Sequence, residues 1–170
     1  MEIGAAIAAQ AEEWIDVPFH WQGRTRAGTD CKGLLAGVLG ELGLPEAEST
    51  AALAGDYFER VPLARLKAGL AAMFDLVTER QAGDFLLCRL RGAAQHLAIA
   101  APLPGRPDRA IEAMPAGPGR VRPASWPAHR VDSIWRLRES GGKTQVPLHH
   151  PAALARHAPR SAPPPPVGEE

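Results

Sequence analysis

WIDVPFHWQGRTRAGTDCKGLL, residues 14–35, joins three kinds of local signal in one run. Its first residues close an apolar helical period. Ile3, Ile7, Ala11, Trp14 and Ile15 recur at helical spacing, and Pro18 stops the run. Val17 to Asp30, with glycines at 23 and 28, reads as a loop. Cys31 then opens CKGLLAGVLGELGLP, in which Leu34, Leu35, Val38, Leu39 and Leu42 form one stripe of a second helix. Thr29 or Asp30 can cap this helix, and Gly43 with Pro45 ends it. Glycines 33, 37 and 40 each cost roughly 1 kcal/mol inside a helix. That cost predicts close backbone packing against a neighbouring element.

Outward from this stretch the two halves of the chain differ. Residues 47–77 read as one or two further helices, broken near Pro62. After the Gly83-Asp84 turn come apolar runs at Phe85 to Leu90 and Gln95 to Ala101. Leu103 to Asp108 reads as a turn, Arg109 to Met114 as a strand, Arg120 to Arg122 as a short fourth strand and Val131 to Leu137 as a fifth. Helices followed by an antiparallel meander make an α+β arrangement. From Glu139 onward the chain reads ESGGKTQVPLHHPAALARHAPRSAPPPPVGEE, rich in Pro, Gly and small polar residues. Residues 139–170 are therefore expected to be a disordered, flexible tail, with Pro163 to Pro166 a stiff polyproline piece. Residues 1–138 are expected to form the folded domain. There is no internal repeat.

Composition narrows the function classes. A chain of 170 residues with 45% hydrophobic and 22% charged residues suits one globular domain. Lys plus Arg is 19 and Asp plus Glu is 19, so no net field draws in a phosphate backbone, which argues against nucleic acid. Two cysteines without a C-x-x-C pair suggest neither a disulfide framework nor a structural zinc site, and no cofactor is implied. No apolar run approaches the roughly 20 residues of a membrane span. The opening MEIGAAIAAQAEEW lacks a basic start, so synthesis in the cytoplasm without a secretory signal is expected.

Cys31 carries the chemistry most directly. A lone cysteine is usually a small buried hydrophobe. At a helix start, however, the positive end of the dipole favours the thiolate, and Lys32 can add to it. A nucleophile belongs in such a place. His96, opening the strand QHLAIA, is the candidate base, against the plain reading of a strand-end histidine. Glu112, in RAIEAM on the next strand, can accept from the second ring nitrogen. Its plain reading is an exposed strand glutamate. Cys88 lies in an apolar strand and reads as core. A Cys31–Cys88 disulfide is not expected in a reducing compartment. His149, His150 and His157 fall in the tail, where metal binding is not expected. Trp14, Trp126 and Trp135 read as packing residues, whereas Trp21 is close enough to the cleft to line it.

These blocks together resemble the NlpC-type cell-wall cysteine peptidases. The stretch from Trp14 to Leu35 is similar to that family's nucleophile region, a Pro-Tyr-containing loop followed by D-C-x-G and an apolar helix. AGDFLLCR resembles its P-G-D strand, QHLAIA its H-V-G-I strand, and RAIEAM its strand with a histidine near the end. The phage-tail and gene-transfer-agent branch is most similar, because it too has H-Q or W-Q in place of one glycine. The resemblance spans about residues 5–138. Three positions depart from it: Phe19 stands for the family's tyrosine, Lys32 for a serine or apolar residue, and Glu112 for His, Asn or Gln.

The resemblance implies a papain-like core, with the Cys31 helix packed on an antiparallel sheet carrying His96. It implies a thiol protease, a hydrolase of peptidoglycan stem peptides, acting through catalytic Cys31, His96 and Glu112. Phe19, His20, Trp21, Gln22 and Asp30 are the implied substrate-binding or oxyanion residues, with the Cys31 amide helping to bind the oxyanion and no metal. Cell wall degradation from outside, delivered by a phage tail or gene-transfer particle, reconciles this activity with the missing export signal. The implied partners are the peptidoglycan peptide and a tail hub or baseplate protein. Two alternatives stand beside it: a structural tail or hub protein that keeps the fold without turnover, and a papain-like amidase or acyltransferase.

Overall fold

The computed structural model describes residues 2–53, 62–90 and 93–138. The expected tail at 139–170, with its polyproline piece and His149, His150 and His157, lies outside the described residues. In chain order the elements are α1 (Ile3–Glu12), β1 (Arg24–Thr25), β2 (Gly28–Thr29), α2 (Cys31–Glu41), α3 (Glu46–Ala52), α4 (Leu63–Met73) and β3 (Phe74–Val77). Then follow β4 (Phe85–Leu90), β5 (Ala93–Ala100), β6 (Arg109–Met114), β7 (Arg120–Ser125) and β8 (Val131–Leu137), with a short 3-10 turn at Ala128–Arg130 before β8. The architecture is mixed α and β, with antiparallel pairing throughout both sheets.

Helix α2 is the centre of the molecule. Asp30 caps it, accepting from the Lys32 amide at 3.0 Å and the Gly33 amide at 2.8 Å. Of the two expected caps, Asp30 is the one used. Leu34, Leu35, Val38 and Leu39 are completely buried, each contributing about 1.5–3 kcal/mol by leaving water. They meet Ile7, Ala11 and Trp14 at one end and Phe85, Leu87, Leu97, Ile99 and Ile111 of the sheet. The expected close packing at glycines holds at two positions. A Cβ on Gly33 would sit 1.8 Å from the Gly23 carbonyl oxygen, and one on Gly37 would sit 2.3 Å from the Trp14 ring. Gly40 differs: a Cβ there would meet only Ala47 at 3.7 Å, an ordinary contact. Its glycine is not explained by packing.

The six-stranded sheet runs β3-β8-β4-β5-β6-β7. From β4 to β7 it is the expected meander. The last strand breaks the pattern, because β8 returns to the other side of β4 and takes β3 as its outer neighbour. Residues 74–77 are thus a strand rather than the end of a helix. Phe74 to Val77 pairs with Leu137 to Ile134, a long-range contact that local periodicity does not report. Strand β7 runs on to Ser125, past Pro123, which an edge strand tolerates. The loop after Pro18 contains a small hairpin, β1–β2, that the glycines masked. The face of the sheet away from the helices carries a second apolar cluster of Leu86, Cys88, Ala98, Ala100, Ala110 and Trp126.

Candidate active site

The loop leading into Cys31 is fastened from both ends. Phe19 donates its amide to Gly119 at 2.7 Å, and the His20 amide and Thr29 carbonyl pair at 2.9 Å. Gln22 holds a left-handed backbone, φ 60°, and its amide reaches the second Asp30 carboxylate oxygen at 2.8 Å. One buried carboxylate therefore ties the loop to the first turn of α2. That turn presents Cys31, half-buried at the edge of the main core. Lys32 turns inward, 8% exposed, and its ammonium donates to the Leu53 carbonyl just past α3. The ammonium thus meets a carbonyl where a helix ends.

His96 sits on β5, directly opposite Cys88 of β4. Glu112 on β6 faces Ala98 of β5 and Arg122 of β7. Glu112 is thus one diagonal step from His96, within side-chain reach. The His96 Nε2 and a Glu112 oxygen are 3.0 Å apart, and both residues are buried. An ionised carboxylate only accepts, so Nε2 carries the hydrogen and donates it. Cys31, at the start of α2, acts on the same imidazole and favours its charged form.

Electrostatics follow this arrangement. Burial disfavours the charged ring, but Cys31 and Glu112, by hydrogen bonds and charge, outweigh it and raise the imidazole from 6.5 to about 9. Burial likewise disfavours the charged form of Glu112, yet His96, Trp126 and Arg122 together hold it below the usual carboxylate range. Cys88 is buried beside this site. Desolvation, followed by the Glu112 charge, pushes its thiol far above the ordinary value, which suits an inert core residue. Cys31 and Cys88 are both free thiols.

The other anticipated site residues divide. Phe19 is half-buried against the core and meets the Trp21 ring edge-on at 5.1 Å. Trp21 is 61% exposed, and His20 and Gln22 are exposed on the same loop. Asp30 is 1% exposed and caps α2 from beneath the loop. Trp14 and Trp135 are packing residues as expected. Trp126 is more than that: its indole N–H donates to the Glu112 oxygen that His96 uses, at 2.9 Å. Arg122 donates to the other oxygen at 3.2 Å. Sequence reading missed both. The available signals were an arginine one strand beyond a strand glutamate and a tryptophan whose N–H needs a partner once buried. Among the described residues no cluster of three or more His, Cys, Asp or Glu could hold a metal ion, and no helix is long and apolar enough to cross a membrane.

No protein-family model and no curated protein matches the chain. Solved structures do. The NlpC/p60 domain of the peptidoglycan hydrolase SagA superposes with a TM-score of 0.50 at 24% identity, covering 79% of this chain and 98% of that one. A Staphylococcus aureus subsp. aureus Mu50 protein described as similar to lipoprotein, NLP/P60 family, gives a TM-score of 0.46 at 19% identity, covering 79% of this chain and 41% of that one. By its likeness to the SagA domain, a capped helix set against an antiparallel sheet, this chain has the NlpC/p60 fold.

Proposed function

We propose that the chain is a cysteine endopeptidase that hydrolyses peptidoglycan stem peptides, with Cys31 as nucleophile, His96 as acid and base, and Glu112 as the group that orients the ring. The observation that carries this reading is one buried imidazole whose Nε2 meets the Glu112 carboxylate at 3.0 Å and whose charged form Cys31 also favours. The likeness to a domain of a peptidoglycan hydrolase supports the choice of substrate. In the reaction the Cys31 sulfur attacks the peptide carbonyl carbon and the carbonyl oxygen becomes an oxyanion. The Cys31 amide, which the Asp30 cap does not take, faces that charge. His96 gives its proton to the departing amine as the C–N bond breaks. Water, deprotonated by the same ring, then cleaves the thioester and restores the thiol. His20, Trp21 and Gln22, on the loop before Cys31, contact the peptide, and the Phe19 ring supports Trp21. Phe19 has no hydroxyl to offer the oxyanion.

Residues 1–138 form the hydrolase unit in this reading. Residues 139–170 tether it to the hub or baseplate of a phage tail or gene-transfer particle, which brings the enzyme to the wall. Purified protein incubated with sacculi is expected to generate new amino termini, and Cys31→Ala to generate none. Absence of product from the wild type, or equal product from Cys31→Ala, refutes the proposal. The carrier is tested separately by looking for the chain in purified particles.

A further inference from the structure

Glu112 is held more firmly than an orienting carboxylate needs for one hydrogen bond. Its two oxygens take three donors: His96 Nε2 and Trp126 Nε1 on one, and the Arg122 guanidinium on the other, with an Nη2 contact of 3.1 Å beside the Nε bond. Trp126 is itself immobilised. Its amide donates to the Asp108 carbonyl at 2.9 Å, and its carbonyl accepts from Arg80 at 2.7 Å. The indole ring lies 5.4 Å from the imidazole, tilted by 33°, and the Arg130 guanidinium sits 4.5 Å above it. Such a frame has a physical purpose. A carboxylate with a single partner can rotate about its last bond and can protonate, and either change releases the imidazole.

We propose that Trp126 and Arg122 are positioning residues, a clamp that keeps the Glu112 carboxylate anionic and in the one plane from which it can hold His96. The proposal goes beyond the catalytic roles above and rests on them for its effect on turnover. The charged and titratable groups around the pair are Cys31 from α2, Cys88 from β4, Arg122 from β7, and Arg80 and Arg130 from the segments flanking the sheet. Only Trp126 and Arg122 among these side chains donate to Glu112 besides His96. A hydrogen bond to a carboxylate favours its charged form, so loss of either donor makes Glu112 protonate at higher pH. With the clamp gone, the Nε2–H also exchanges faster.

The test uses the full chain and NMR, following the Glu112 carboxyl carbon and the His96 Nε2–H signal during acidification. Three chains are compared: the wild type, Arg122→Gln, and a chain with benzothienylalanine in place of Trp126, which keeps the two-ring shape and lacks the N–H. Each altered chain is expected to raise the Glu112 midpoint by about 1 pH unit and to broaden the Nε2–H signal. On sacculi each is expected to lose roughly 10-fold in kcat with KM unchanged. An unmoved midpoint with an unbroadened Nε2–H in either folded variant overturns the clamp. A wild type that makes no product defeats the hydrolase reading instead, and the NMR comparison still decides the clamp.

Discussion

Replacing Glu112 with glutamine removes a buried charge and keeps the shape. In the wild type the imidazole is raised from 6.5 to about 9, worth roughly 3 kcal/mol in favour of imidazolium at about 1.4 kcal/mol per unit. Because the folded value lies above the unfolded one, this stabilisation is complete below about pH 6.5 and is lost as pH rises through about 9. Glutamine at 112 can still accept from the ring, but it carries no charge. An opposite charge at this range accounts for about 1–3 pKa units. Arg122, now facing an amide, becomes an uncompensated like charge near the imidazolium. We expect the basic limb of wall hydrolysis, set by the imidazolium that protonates the departing amine, to fall by about 2 units, toward pH 7. At about pH 8.5 the variant should be at least ~10-fold slower than the wild type, since most of its imidazolium is gone. A Glu112→Gln profile whose basic limb coincides with that of the wild type would refute the electrostatic reasoning.

Two glycines in the same helix should respond oppositely. Gly33→Ala forces a methyl onto the Gly23 carbonyl, so a loss of about 1–3 kcal/mol should exceed the helix gain of about 1 kcal/mol and lower the Tm. Gly40→Ala meets only Ala47, at ordinary contact distance, and should raise the Tm through the propensity gain, by up to about 1 kcal/mol. Equal thermal shifts of one sign would contradict the packing described for α2. Asp30→Ala removes the cap and the bond to Gln22, and denaturant unfolding should show a loss of about 1–2 kcal/mol. Slower Cys31 alkylation in the folded Asp30→Ala protein is expected as well, and an unchanged rate would mean that the loop does not set the nucleophile.

Much of this architecture is legible along the chain because it is local. The Cys31 helix is announced by its cap, its leucine stripe and Gly43, all within one short run. Strands β4, β5, β6 and β8 are marked by apolar runs and by the turns between them. What is not legible lies in pairings across distance. Residues 74–77 are a strand only because β8 comes back alongside them, and nothing within four residues can say so. Gly40 shows the reverse error, a costly residue read as a packing contact where the neighbour is merely ordinary.

The candidate site divides along the same line. Residue type and spacing single out Cys31, His96 and Glu112, since a thiol at a helix start, an imidazole and a carboxylate on neighbouring strands are chemically matched groups. Their meeting depends on register: Ala98 opposite Glu112, Cys88 opposite His96, and the first turn of α2 laid at the sheet. A slip of one residue in β6 would turn the carboxylate to the other face. Burial also assigned roles that composition left open, sinking Lys32 and Asp30 beneath the loop and bringing Trp126 and Arg122 to the Glu112 oxygens. Helix starts and strand runs are written in short-range sterics and hydrophobic period, whereas which charge faces which donor is settled only when distant segments exclude water together.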